Sequence, residues 1–227
     1  EADTGHTPTI DGRYSPALFG AAGYKTSNGT APKADELPCM SDANATLGNW
    51  VFPGANINTK GYSVIVRLRA TNSKIKGFII RNVAGRALGV EGNNAIAEGC
   101  VIDFSYGGAT FIPAANTGGK IHGCTITRSS VKTFDPGAPG AGPDAVQTTV
   151  IVAGKDNIIE ENIVAFCYGE GISADKGSVR PIIRNNTIHT NGHWGLGFNF
   201  TSGARIYGNV CYWCDNLVSA MGKKTPG

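Results

Sequence analysis

The sequence predicts an all-β solenoid, a single domain over residues 1–227 in which about seven coils of three short strands lie one on another. Three observations predict it. An eight-residue segment recurs at intervals of mostly 22 to 24 positions, and its apolar residues fall in fixed columns. Glycine, at 32 of 227 residues, is about twice as frequent as usual, so the chain must turn often.

The repeat places six segments in one register: Ile-Lys-Gly-Phe-Ile-Ile-Arg-Asn (75–82), Ala-Glu-Gly-Cys-Val-Ile-Asp-Phe (97–104), Ile-His-Gly-Cys-Thr-Ile-Thr-Arg (121–128), Ile-Glu-Glu-Asn-Ile-Val-Ala-Phe (159–166), Ile-Arg-Asn-Asn-Thr-Ile-His-Thr (183–190) and Ile-Tyr-Gly-Asn-Val-Cys-Tyr-Trp (206–213). Their fourth residues are 22, 24, 38, 24 and 23 positions apart, and the long interval holds a twelve-residue insertion, Lys132 to Pro143, rich in Gly, Pro and Ala. Three apolar columns follow. The first is Ile75, Ala97, Ile121, Ile159, Ile183 and Ile206; the second is Ile80, Ile102, Ile126, Val164, Ile188 and Cys211; the third is Leu88, Thr110, Val146, Ile172 and Leu196. Apolar runs of three to five residues with β-branched side chains, ending at Gly or Asn, are strands rather than helices.

Stacking puts like above like at about 4.8 Å per rung. Asn162, Asn186 and Asn209 then form a ladder of side-chain amides. Lys76, Glu98, His122, Glu160, Arg184 and Tyr207 form an outward, largely charge-alternating column, a solvated salt ladder. Cys100 and Cys124 meet on adjacent rungs, as thiols or as a disulfide, whereas Cys167 and Cys214 are about 9.6 Å apart and too far to bridge. Regular coils are expected over 49–216, with an irregular extension and first-coil strand over 1–48 and a tail over 217–227.

Composition excludes several functions. No apolar run approaches the roughly 18 residues of a membrane span. Glu1 opens without a signal-peptide pattern, so the chain reads as processed or excised. A net charge of +3 with scattered Lys and Arg gives no basic stripe for nucleic acid. Six cysteines and sequons at Asn28, Asn44, Asn185 and Asn199 suit an extracellular or cell-surface location.

The pattern, with Asn-Asn-Thr-Ile-His-Thr-Asn-Gly-His-Trp-Gly-Leu as its clearest copy, resembles the right-handed parallel β-helix proteins of the pectate-lyase-like superfamily over about residues 62–216. Pro8-Thr9-Ile10-Asp11-Gly12 resembles their first-coil phrase, and Asn49 to Arg69 reads as another coil. Residues 172–188 resemble the segment that carries the catalytic lysine of chondroitinase-B-like and alginate-lyase β-helices. That resemblance implies Lys176 as Brønsted base in a β-elimination. The family's partner arginine would fall near Gly197 or Phe198, so Arg180 or Arg184 would have to replace it. Set against it, Asp-Lys-Gly is an ordinary turn and Lys176 an ordinary turn lysine.

The residues themselves point to a second site beside the insertion, because solenoid insertions often wall a binding groove. Registering 142–147 with 168–173 and 192–197 places Asp144, Glu170 and Trp194 in one column, with His193 beside it and Arg86 further along. Two carboxylates about 5 Å apart repel by roughly 3 kcal/mol, which raises one pKa or calls in a cation. Acid/base catalysis by Asp144 and Glu170 and Ca²⁺ binding by the same pair both follow. A register slipped by one residue would leave both carboxylates in solvent. Trp194, His193 and Tyr168 suit stacking on a sugar.

The expected function is therefore binding or cleavage of an acidic polysaccharide outside the cell, by a lyase first or a glycoside hydrolase second. The rival expectation is a structural or adhesive β-helix that stacks end to end into a filament through uncapped coils or is part of a larger surface protein.

Overall fold

The structure, a computed structural model, describes residues 8–11, 64–83, 86–105, 108–130, 148–167, 169–175, 177–199, 201–214 and 216–221. Among them there is no helix; all regular structure is strand. Residue columns separated by one repeat become hydrogen-bonded neighbours, and this builds three parallel sheets.

Sheet I contains β3 (Lys74–Lys76), β6 (Ile96–Glu98), β9 (Lys120–His122), β12 (Ile158–Glu160), β15 (Ile182–Arg184) and β18 (Arg205–Tyr207). Sheet II contains β1 (Thr9–Asp11), β4 (Ile79–Val83), β7 (Val101–Ser105), β10 (Thr125–Thr127), β13 (Ile163–Ala165), β16 (Thr187–His189) and β19 (Val210–Tyr212). Sheet III contains β2 (Val64–Leu68), β5 (Arg86–Val90), β8 (Thr110–Ile112), β11 (Thr148–Val152), β14 (Glu170–Ala174), β17 (Trp194–Asn199) and β20 (Asn216–Met221). From β3 to β18 the chain makes five full turns, fewer than the seven coils expected. The two coils expected upstream contribute β1 to sheet II and β2 to sheet III, which together make one incomplete rung. At the other end β20 carries the regular coils to Met221, past the expected limit of 216.

The first two apolar columns pair residue for residue as expected. Ile80, Ile121, Ile126, Ile159, Ile183 and Ile188 of these columns are buried and form the core with Leu88, Val150 and Ile172, while Ile206 in the last rung is exposed. The third column contains one correction. Thr110 pairs with Val150, and Val150 with Ile172, so Val146 is not the core residue of that rung. The Ile126-to-Val150 stretch spans 24 positions where Ile102-to-Thr110 spans 8, so the insertion adds sixteen residues rather than twelve. The reason is local: Thr148–Val152 is an unbroken β-branched run, a stronger strand than one centred on Val146.

The asparagine ladder forms. Asn162 Nδ2 donates to Asn186 Oδ1 at 3.0 Å, and Asn186 Nδ2 to Asn209 Oδ1 at 2.9 Å. Each Oδ1 also accepts a backbone N–H of the preceding rung, and each Nδ2 serves a core-strand carbonyl, so no buried amide in the ladder is left unpaired. Asn116, Asn157 and Asn191 do the same work at other turns. Cys100 and Cys124 are buried, free thiols on adjacent rungs, the first of the two alternatives.

Turns close with left-handed residues in three columns. Two are mostly of the expected kind: Asn72, Asn94, Gly118, Asp156, Arg180 and Gly203; and Gly77, Gly99, Gly123, Glu161, Asn185 and Gly208. The third, at the end of sheet II, is Asn82, Phe104, Arg128, Phe166, Thr190 and Trp213.

Candidate functional site

Two glycines determine where sheet III begins. A Cβ on Gly171 would lie 2.6 Å from the Gly195 carbonyl oxygen, and one on Gly195 would lie 2.8 Å from that of Leu217. The residues before them, Glu170 and Trp194, therefore share one register position on adjacent rungs, as the sequence column predicts. The rung on the other side differs from the expectation. Thr148, not Asp144, pairs with Glu170. Asp144 is four residues upstream of that position and lies outside the described residues, as do Lys176 and Tyr168. The adjacent-rung carboxylate pair is thus replaced by a threonine–glutamate contact.

Glu170 is 6% exposed, and its carboxylate Oε2 accepts a 2.6 Å hydrogen bond from Thr148 Oγ1. The His193 Nδ1 atom lies 3.9 Å from Glu170 Oε1. Burial pushes the Glu170 carboxyl above the usual glutamate range; the charge of Asp175 pushes the same way, while the Thr148 hydroxyl and His193 act against it. Asp175 follows β14, five residues from Glu170, and the sequence reading did not single it out. The His193 and Trp194 rings lie 4.6 Å apart at 31°. A Cβ on Gly197 would touch Trp194 Cε3 at 3.4 Å and Ser173 Oγ at 3.1 Å, so the indole spreads over the outer face of sheet III where glycine leaves room. His193 Nδ1 is buried without a hydrogen-bond partner, and the buried Ser173 hydroxyl, like that of Thr148, favours the charged form of Glu170. Along the same face, the Arg86 guanidinium lies 5.3 Å above the Phe111 ring.

The two other arginines are placed elsewhere. Arg180 grips Asp156 through Nε at 2.8 Å and Nη2 at 2.7 Å. Arg184, in β15 of sheet I, bonds Glu160 through Nε at 2.6 Å and the Tyr207 hydroxyl through Nη1 at 2.9 Å. Both belong to ladders outside sheet III, and neither joins Glu170. Among the described residues no three His, Cys, Asp or Glu side chains converge to hold a metal ion.

Thr148 and Ser173 were missed by the sequence reading. A signal was present for the first: choosing the β-branched run over Val146 puts Thr148 beside Glu170. For Ser173 there was none, because a serine in a strand carries no mark of which face it takes.

A family model described as a right-handed β-helix region matches residues 48–211. No curated protein matches the chain.

Proposed function

This chain belongs to the right-handed β-helix family, and from that premise we propose that it binds and cleaves a polysaccharide along the outer face of sheet III, with Glu170 as proton donor. The observation that carries the reading is a buried glutamate whose carboxyl is raised, next to an aromatic platform and an unpaired imidazole nitrogen. A raised carboxyl keeps its proton nearer neutral pH and can pass it to a departing glycosidic oxygen. Trp194 offers a ring to stack on the apolar side of a pyranose, and His193 Nδ1 and Ser173 Oγ offer hydrogen bonds to its hydroxyls. Arg86, in the same column, is the cation that would meet an acidic sugar such as a uronate. An extracellular site and the finer kinship with pectate-lyase-like proteins belong to this reading. The Ca²⁺ alternative, through Asp144 with Glu170, needs an ionised Glu170 and so competes with this reading.

Wild type and Glu170→Gln are to be incubated with pectate, alginate and chondroitin, following reducing ends and unsaturated-product absorbance together. Reducing ends without absorbance, lost in Glu170→Gln, are the expected result. Absorbance lost in Lys176→Ala would replace it by the elimination reading. Full activity in Glu170→Gln sinks the proposal.

A second reading, end-to-end stacking, has one observation in its favour: Ile206, Val210 and Val218 in the last described coil are exposed. Against it, β18 and β3 are the outer strands of sheet I among the described residues, and Arg205 shares its column with Lys74, so copies stacked there would set like charges together.

A further inference from the structure

The third column of left-handed residues is the anomaly of the fold. Glycine, asparagine or aspartate occupies most of the other two, because a bulky residue there costs on the order of 1–3 kcal/mol. At the end of sheet II the chain instead holds Phe104, Phe166 and Trp213 at φ of 59°, 57° and 52°. Phe104 is buried, and its packing offsets the strain. Phe166 and Trp213 are 52% and 77% exposed, so they carry the strain without that return.

The two exposed rings are the ends of a ladder. Phe166 meets His189 edge-on at 5.3 Å and 82°; His189 stacks on Tyr212 at 4.8 Å and 4°; Tyr212 meets Trp213 edge-on at 5.4 Å and 74°. His189 Nδ1 lies 2.9 Å from Thr190 Oγ1, and Thr187 stands on the same rung. Sheet II changes character here. Its earlier rungs carry the pairs Asp11–Arg81 and Asp103–Arg128, while the strands β13, β16 and β19 contain no charged acid or base other than histidine. The ladder is also continuous with the Glu170 site. Phe166 and Glu170 are the two ends of one short turn, and Thr190 and Trp194 the two ends of the next.

We infer that Phe166, His189, Tyr212 and Trp213 form a second binding platform, on the outer face of sheet II, for a polysaccharide chain running past the Glu170 site. The inference rests on the carbohydrate reading of that site. Aromatic rings recognise the C–H face of a pyranose whatever its charge, and the Thr187 and Thr190 hydroxyls supply hydrogen bonds. Two rungs separate Phe166 from Trp213, about 10 Å, so the platform covers more than one sugar ring. It would hold a polymer, not select its acidic groups.

Binding to pectate, alginate, chondroitin sulfate, xylan and cellulose is to be measured by depletion for wild type, Phe166→Ala/Trp213→Ala and Glu170→Gln, with circular dichroism to confirm folding. Both rings are exposed, so the double variant should fold. Its polymer affinity should drop about tenfold or more, with cleavage of short oligosaccharides unchanged. Glu170→Gln should keep polymer affinity. If Glu170→Gln also keeps turnover, the catalytic reading fails while the platform stands. Undiminished affinity in the double variant overturns the platform, and so does a wild type that binds none of the five polymers. Concentration-dependent oligomers that the double variant abolishes would assign the rings to self-contact and overturn it too.

Discussion

Glu160 and Glu170 are ten residues apart in the chain, are both buried, and have carboxyls shifted in opposite directions. Glu160, 3% exposed on sheet I, receives Lys120 and Arg184, with His122 Nδ1 at 3.4 Å. Burial alone would raise its carboxyl, but the two cationic hydrogen-bond donors outweigh it and hold the group below the usual range. Glu170, 6% exposed on sheet III, has a hydroxyl and an imidazole at 3.9 Å, and burial wins. The difference teaches that burial does not determine a carboxyl's role; the charge of its partners does. Where the salt ladder supplies them the group is structural. Where it does not, the proton becomes available for chemistry.

The widest separation should come from removing each charge in turn. Glu170→Gln should lower turnover on the cleaved polysaccharide about 10²- to 10⁴-fold, measured by reducing ends, with little change in melting temperature. Glu160→Gln should do the reverse, leaving Lys120 and Arg184 crowded at a neutral side chain and lowering stability by roughly 3 kcal/mol in urea unfolding. Equal losses of stability in both variants would erase the distinction.

Next in size is the ladder that holds both rungs. Asn186→Ala leaves the Asn162 N–H without its acceptor and removes one of the donors to the Ile159 carbonyl, and should cost about 2 kcal/mol, read as a fall of roughly 4–8 °C in melting temperature.

Acid titration should then separate the two carboxyls by sign. Glu160 and Glu98 are lowered, Glu98 to about 2 by Lys74 and Lys76, so the stability they contribute is present above 4.5 and is lost as pH falls below it. Glu170 is raised, so its contribution is full below 4.5 and disappears as pH rises through its folded value. Stability profiles of Glu160→Gln and Glu170→Gln should therefore diverge from wild type in opposite directions. The smallest effect belongs to Thr148→Val. Its lost hydrogen bond should move the alkaline limb of the activity profile to higher pH, because that bond favours the charged carboxylate.

The two core columns, the asparagine ladder and the charge alternation of sheet I were legible because each repeats with the period, so one error of register would have broken six agreements at once. The Glu170–Trp194 column was legible for the same reason, reinforced by Gly171 and Gly195. The partner of Glu170 was not. It stands just after the insertion, where Val146 and Val150 satisfy the apolar pattern equally well, and Asp144 took the place that belongs to Thr148. Arg184 pairs with Glu160 as its place in the charge-alternating column predicts, whereas Asp156, the partner of Arg180, is one coil away and the sequence did not single it out.

Periodicity by itself determined that this chain winds into a stacked, parallel β-helix, because apolar side chains repeating every coil have only one another to bury against. Which glutamate's carboxyl would be lowered by cations and which raised by burial was decided only in three dimensions. That choice depends on charges brought within 4 Å of a buried carboxyl from neighbouring rungs, and on a register that an insertion of irregular sequence had hidden.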